Sequence, residues 1–558
     1  MEIPVRDSHA GVTAILLWCI AGLGCGVEYA APGVPPYLTV FLVDGLSQSV
    51  FEEELAAGRL PNVARLIREG TYIEHGIGAF PSMTGYGFYP FLTGVDAVRS
   101  GVLGYRWFDR DAAAGNLRNY AGRTRGLMNR DLVADLPTLF EEFPDQHSSS
   151  FNALLDRGAH RHEEARWAFA ASKFRATSRG LRLLGLVPVI GARVAPTLPE
   201  MEGRLFADVL DDLARRPKVQ WVVFASPDVL SHMGGMDAGY VELVRHIDHL
   251  IGRYRARAAA LGLDGQRVYA FVSDHGVVDV GRHVDLRAAL APLGVHLKRD
   301  PSSALWDADL DTPRAAYAEW DGVIAVNGNT MNYMYLRDPS SGTGEGLGGA
   351  PAPAALRAYR PRAGGPSVDV IDVLRKIPGV ELVAARTDST TVAVFDRTGF
   401  GEIRLTDGRY AYRAVGHDPL GYCAHPATRP LADGTPRTAD TWLAATAETT
   451  YPYAVVRLYD VVTHPKAGDI VLTAEAGYDL APDFELVIGG YRGGHGGIRA
   501  DQIRVPYVLA GPGVVSGGRL AVARAEDIGA TLRHLLGLPV PAGAGGVVLR
   551  RAVTHPRE

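Results

Sequence analysis

Three short apolar runs in this chain each end in an aspartate at a turn: YLTVFLVDG at Asp44, VQWVVFASPD at Asp228, and QRVYAFVSDHG at Asp274. Four further residues belong with them by type: Thr84 in FPSMTG, His232 four positions after Asp228, His275 directly after Asp274, and His495 in GGHGG. Carboxylate and imidazole side chains are ligands for zinc and similar divalent ions. Two such ions about 3.5–4 Å apart can hold both the attacking and the leaving oxygen of an in-line displacement. Each segment alone has a plainer reading. An SDHG turn needs only an Asp that caps it, Asp228 could be a helix N-cap with His232 on the surface, GGHGG could be a glycine turn, and Asp44 could simply end a strand. Their combination is the signal, because every acid follows an apolar run and every histidine sits among small residues where backbone can approach an ion closely.

The elements that must position these residues follow from the pattern around them. After YLTVFLVDG comes the amphipathic LPNVARLIREG, and the alternation of strand, loop and helix continues. Such alternation predicts an α/β fold, a three-layer αβα sandwich with a mostly parallel sheet whose strands are buried on both faces. Ligands in these sheets gather beyond the carboxyl ends of the strands, where Asp44, Asp228 and Asp274 would all fall. Between residues 286 and 468 the pattern weakens into Gly/Pro-rich linkers and short alternating runs such as TTVAVFD, which predicts an α+β insertion or cap. The α/β pattern returns over 469–558 with AGDIVLTAE, IRVPYVLAGPG and the helix AEDIGATLRHLLG, which should rejoin the first sheet. The division expected is therefore a leader over 1–36, a catalytic core over 37–285 and 469–558, and a cap over 286–468.

Composition narrows the function. The chain has 558 residues, and its 57 Lys+Arg against 62 Asp+Glu give a net charge of −5, so no basic surplus exists for nucleic-acid backbone. Phosphate recognition must be local, and no specific nucleic-acid partner is expected. Three cysteines, Cys19, Cys25 and Cys423, cannot supply a disulfide framework or a cysteine zinc module. Residues 11–27 form a charge-free apolar stretch between Arg6 and the spacer AAPGVPP. It reads as a signal peptide or membrane anchor, which places the protein outside the cytoplasm, secreted, periplasmic or tethered.

With these motifs in hand, the chain resembles the alkaline phosphatase superfamily, and within it the type I phosphodiesterase/nucleotide pyrophosphatase branch. FPSMTGYGFYPFLTG is similar to that branch's nucleophile segment, and the order Asp, Thr, DxxxH, DH, distant HG follows the superfamily. The resemblance implies hydrolysis of phosphodiester or pyrophosphate bonds in small-molecule esters, through a phosphothreonine on Thr84. It implies two divalent cofactor ions, taken as Zn2+, one held by Asp44, Thr84, Asp274 and His275 and the other by Asp228, His232 and His495. Chemistry agrees, since a threonine hydroxyl is a weak nucleophile until an ion lowers its pKa. Ser82 is the rival hydroxyl, and a helix beginning at Thr84 would favour Thr84 by aiming backbone amides at an anion.

Two departures from the family pattern touch specificity. Where these diesterases carry a phosphate-binding Asn, this chain has Tyr105 beside Arg106, in a segment whose Trp107 and Phe108 suggest packing. Where related monoesterases carry Lys-x-Arg-Gly, LLDRGA keeps Arg157 and Gly158 but has Leu155, and Lys173 is a second source of charge. One cation fewer favours a singly charged diester. Tyr105, Arg106 and Arg157 are thus candidate substrate contacts. A phosphate monoesterase, a membrane-associated phosphotransferase and a non-catalytic metal-binding surface protein are the alternatives. PSMTGYG lacks the modified Cys or Ser followed by Pro and Arg that sulfatases use.

Overall fold

A computed structural model describes residues 36–120, 126–163, 197–298, 312–340, 346–481 and 492–554. The apolar segment 11–27 and Lys173 lie outside the described residues. Among those described, no helix is long and apolar enough to cross a membrane.

The central sheet has eight strands: β1 (Tyr37–Val43), β2 (Gly70–Ile77), β3 (Ser148–Phe151), β4 (Arg161–Glu163), β5 (Val219–Phe224), β6 (Arg267–Val272), β7 (Arg504–Ala510) and β8 (Gly518–Arg524). Their order across the sheet is β8-β2-β7-β6-β1-β5-β3-β4. All neighbours pair in parallel except β7, which runs antiparallel to both β2 and β6. The central strands are mostly apolar because both of their faces are covered, with Thr39, Gln220 and Arg267 as buried polar exceptions. On β1, Leu38, Val40 and Leu42 enter one core cluster while Phe41 and Val43 enter the other. The second cluster lies under the long helices Leu198–Asp212 and Ala238–Ala260. The first contains Phe91 and Leu92 of the short helix Tyr89–Thr93 and Ile528 and Leu532 of Ala525–Leu535. This is the α/β fold with helices on both faces of a mostly parallel sheet that the alternating pattern predicts.

A second eight-stranded sheet is built largely from the region between residues 297 and 474 and is antiparallel except at one edge, where Leu297–Lys298 pairs in parallel with Gly322–Asn327. Val323, Tyr335, Leu382 and Val394 of this sheet join the same buried cluster as β1, so one core ties the two sheets together. AGDIVLTAE, grouped by its pattern with the closing α/β part, instead places Ile470–Ala474 between Met331–Leu336 and Val380–Arg386 of the second sheet. A five-residue run buried on both faces fits either sheet, so its pattern alone does not assign it to one.

Candidate functional site

Asp44 directly follows β1, Asp274 lies two residues beyond β6, and Asp228 is in the first turn of the helix Ser226–Gly234 that follows β5. Because β6, β1 and β5 are adjacent and parallel, their carboxyl ends bring the three carboxylates to one edge. Thr84 arrives from the loop after β2. His495 comes from farther away, just past the two-residue strand Gly493–Gly494, which pairs with Val278 and Asp279 beyond the SDHG turn.

The seven residues singled out in the sequence meet. Thr84 Oγ1 donates to Asp44 Oδ1 at 3.2 Å and lies 3.0 Å from His275 Nε2. His275 Nε2 is 3.3 Å from both Asp44 Oδ1 and Asp274 Oδ2. Asp228 Oδ1 is 3.4 Å from His232 Nε2 and also 3.4 Å from His495 Nε2. Ligand atoms of Asp44, Asp274 and His275 lie within 4.8 Å of one another, as do those of Asp228, His275 and His495.

Each imidazole is held in the same way. Nδ1 of His232 donates to the Gly493 carbonyl at 2.9 Å, Nδ1 of His275 to the Gly276 carbonyl at 3.1 Å, and Nδ1 of His495 to the Ser82 carbonyl at 2.9 Å. A carbonyl can only accept, so all three rings carry their proton on Nδ1 and turn the Nε2 lone pair toward the carboxylates. Burial drives Asp274 well above the ordinary carboxylate range, with the Asp44 carboxylate beside it adding to the effect. Burial likewise holds His495 well below the usual imidazole value, helped by His275.

The two hydroxyls of FPSMTG differ sharply. Ser82 is fully buried, donating to the Gly497 carbonyl at 2.8 Å and accepting from the Gly496 amide at 3.0 Å. Its oxygen is a strut for the His495 loop. Thr84 is half-buried among the acids and histidines. No long helix starts there: Gly85 turns the chain at φ 79°, followed by a single 3₁₀ turn, Tyr86–Phe88, and the five-residue Tyr89–Thr93. The expected row of helical amides at Thr84 is therefore replaced by a tight turn.

The family model for type I phosphodiesterase/nucleotide pyrophosphatase matches residues 38–340, more than half of the 558-residue chain. The chain belongs to this family. It is accordingly a phosphoric ester hydrolase of the alkaline phosphatase superfamily. Among solved structures it is similar in fold to the murine ectonucleotide pyrophosphatase/phosphodiesterase 5. An inactive form of that protein in complex with AMP gives a TM-score of 0.51 at 11% identity, over 91% of this chain and 96% of that one. A second structure of the murine protein gives 0.50 at 12%, over 90% and 96%. No curated protein sequence matches significantly.

The donor set of this phosphodiesterase fits the divalent ions its family implies. Three carboxylates and three imidazoles with their lone pairs directed inward suit zinc or a similar ion. Both carboxylate oxygens of the buried Asp274 find no hydrogen-bond partner, a costly arrangement that a cation would relieve. His275 faces both groups of ligand atoms.

The candidate substrate contacts fare differently. Arg157 gives its Nε to Glu141, at 3.1 Å, and its other nitrogens to the carbonyls of Leu132, Val133 and Leu136, so it braces a loop instead of offering a free cation. Tyr105 packs on the main core, and Arg106 is fully buried with its guanidinium over the Tyr105 ring. Both backbone amides of this pair donate to Asn327 Oδ1, at 2.8 and 3.2 Å. Asn327 and Thr330 were not singled out in the sequence. They flank the loop that receives His495, and Thr330 Oγ1 contacts both the His495 carbonyl, at 2.5 Å, and Gln502 Oε1, at 2.6 Å. Nothing in the local sequence NGNT signals this, because its partners lie over 160 positions away.

Proposed function

We propose that this phosphodiesterase cleaves phosphodiester or pyrophosphate bonds in small-molecule esters through a phosphothreonine formed on Thr84. Support comes first from the contrast within FPSMTG: the Thr84 hydroxyl meets Asp44 and His275, while Ser82 is consumed by the loop of Gly496 and Gly497. Two divalent ions, zinc by the donor set, would acidify the attacking hydroxyl and take up phosphoryl charge when held by Asp44, Thr84, Asp274 and His275 on one side and Asp228, His232 and His495 on the other.

The chain's own groups do the rest. Asp44 Oδ1 holds the Thr84 hydroxyl hydrogen and so orients the oxygen lone pairs away from itself, toward an incoming phosphorus. Attack forms the Oγ1–P bond and breaks the bond to the leaving oxygen, which takes up the proton that the Thr84 hydroxyl releases. Water then attacks the same phosphorus from the side the leaving group vacated, breaking Oγ1–P and restoring the threonine. The carbonyl-anchored rings of His232, His275 and His495 keep their geometry through both steps without reorganisation, the feature that makes electrostatic stabilisation effective.

Replacing Thr84 by Ala is the decisive test, with bis-nitrophenyl phosphate, nitrophenyl phosphate and nucleotide esters as substrates. Turnover of all of them should vanish while circular dichroism and bound zinc stay unchanged. An active Thr84→Ala protein refutes the nucleophile, and a strong preference of the parent protein for nitrophenyl phosphate makes it a monoesterase. The apolar stretch at residues 11–27 supports export from the cytoplasm, which N-terminal sequencing of protein recovered from the cell exterior would check.

A further inference from the structure

Glu202 is a carboxylate where the pattern of its helix calls for a hydrocarbon. Leu198, Met201, Leu205, Phe206 and Val209 form the buried stripe of Leu198–Asp212, and Glu202 lies within that stripe at 2% exposure. Its Oε1 accepts from the Ser226 amide at 3.0 Å and from the Ser226 hydroxyl at 2.5 Å. Ser226 is fully buried and is the first residue of Ser226–Gly234, the helix that carries Asp228 in its first turn and His232 one turn later.

That helix has no cap of its own. Ala225 stands at the N-cap and offers no side-chain acceptor. The first amides of a helix need acceptors, and an anion there is favoured by the aligned peptide dipoles. A Ser or Asp at position 225 would cap the helix through the Asp228 amide, because Pro227 has no N–H to give, but it would move with the helix. An acceptor on the neighbouring helix does something else, because it fixes the rotation and advance of Ser226–Gly234 relative to Leu198–Asp212.

We propose that Glu202 is a positioning residue for metal binding: by gripping Ser226 it sets where Asp228 and His232 stand against His495. The geometry it would guard is narrow, with Asp228 Oδ1 at 3.4 Å from each of the His232 and His495 Nε2 atoms. Sites of this kind must be held to about 0.5 Å. Burial pushes the Glu202 carboxyl up to about 7, so its place in the core is unfavourable by itself.

The inference rests on Asp228 and His232 being metal ligands, and the experiment separates the two claims. Zinc affinity is measured by competition with a chromophoric chelator, alongside kcat, KM and thermal melting. Asp228→Ala should lose one zinc; if it keeps both, the ligand reading itself fails. Glu202→Met keeps the volume but removes the acceptor. It should weaken one of the two zinc ions by about 10–100-fold, the size seen when supporting partners of ligands are removed, leave the other unchanged, and lower kcat more than it changes KM. Glu202→Gln keeps an acceptor oxygen and should recover affinity to within about threefold of the parent protein. If Glu202→Met does not fold, Ser226→Ala carries the test: it deletes one of the two contacts and should weaken the same zinc several-fold. Unchanged zinc affinity in Glu202→Met or Ser226→Ala, or equal weakening of both ions in step with the melting temperature, overturns the proposal.

Discussion

The imidazole of His275 lies flat on that of His495, with ring centroids 3.8 Å apart and planes 7° from parallel. The two rings are tethered from different directions, His275 by the Gly276 carbonyl next to it and His495 by the Ser82 carbonyl 413 positions away. Through this stack the two groups of ligand atoms become one site. Three carboxylates and three imidazoles gathered there form a donor set for divalent cations.

Chelation should therefore unfold the protein more readily as well as silence it. A metal held at a thousand times its Kd contributes about 4 kcal/mol of stability, so the melting temperature should fall on adding chelator and recover on adding zinc. His495→Ala should lose one metal equivalent, and the loss of turnover should exceed the roughly 10–100-fold that follows from removing a supporting group. Metal analysis of purified protein checks the first outcome and steady-state kinetics the second.

Ser82→Ala should separate structure from chemistry. Its hydroxyl joins Gly496 and Gly497, both buried, and a buried partner left unsatisfied costs about 1–3 kcal/mol. The expected protein is less stable by that amount in urea titration, with reduced but measurable turnover. Complete loss of activity with stability unchanged would instead make Ser82 a reacting group.

Gly496 sits at φ 108°, and a Cβ built there would lie 2.0 Å from the Asn327 carbonyl oxygen. Both the backbone conformation and the space exclude a side chain. Gly496→Ala should displace the His495 loop and cost on the order of 3 kcal/mol or more. Loss of the metal bound through His495, read by zinc titration at a temperature where the variant is still folded, is the specific outcome.

The buried Glu54 accepts two hydrogen bonds from Arg59, both at 2.7 Å, and two from Arg245, at 2.6 and 3.1 Å. These bonds, Arg59 first, lower its carboxyl from 4.5 to about 2. A depressed acid stabilises the fold above its unfolded value, so this contribution is complete above about pH 4.5 and is lost as the pH falls toward 2. Denaturant titrations of Glu54→Gln and the parent protein should differ most at neutral pH and converge on acidification. A gap that stays constant down to pH 3 would contradict the assignment.

Much of this was legible in the residues. Asp44, Asp228 and Asp274 could be read as converging because each ends a continuous apolar run, and buried parallel strands have such runs and one carboxyl edge. Glu202 also left a trace, as a charge on the apolar stripe of LPEMEGRLFADVL. The strand Ile470–Ala474 shows the limit, since its pattern says that it is buried but not in which sheet.

By itself the sequence determined the chemistry on offer: acids at strand ends, histidines among glycines, a threonine and a serine two positions apart, and too few cysteines or cations for another plan. Only the tertiary structure gave those hydroxyls their different partners, gave Arg157 to Glu141, and set His495 against His275. The reason is physical. Which way a loop side chain points depends on hydrogen bonds such as Ser82 to Gly497, whose partners are 415 residues apart, and local pattern carries no record of contacts at that range.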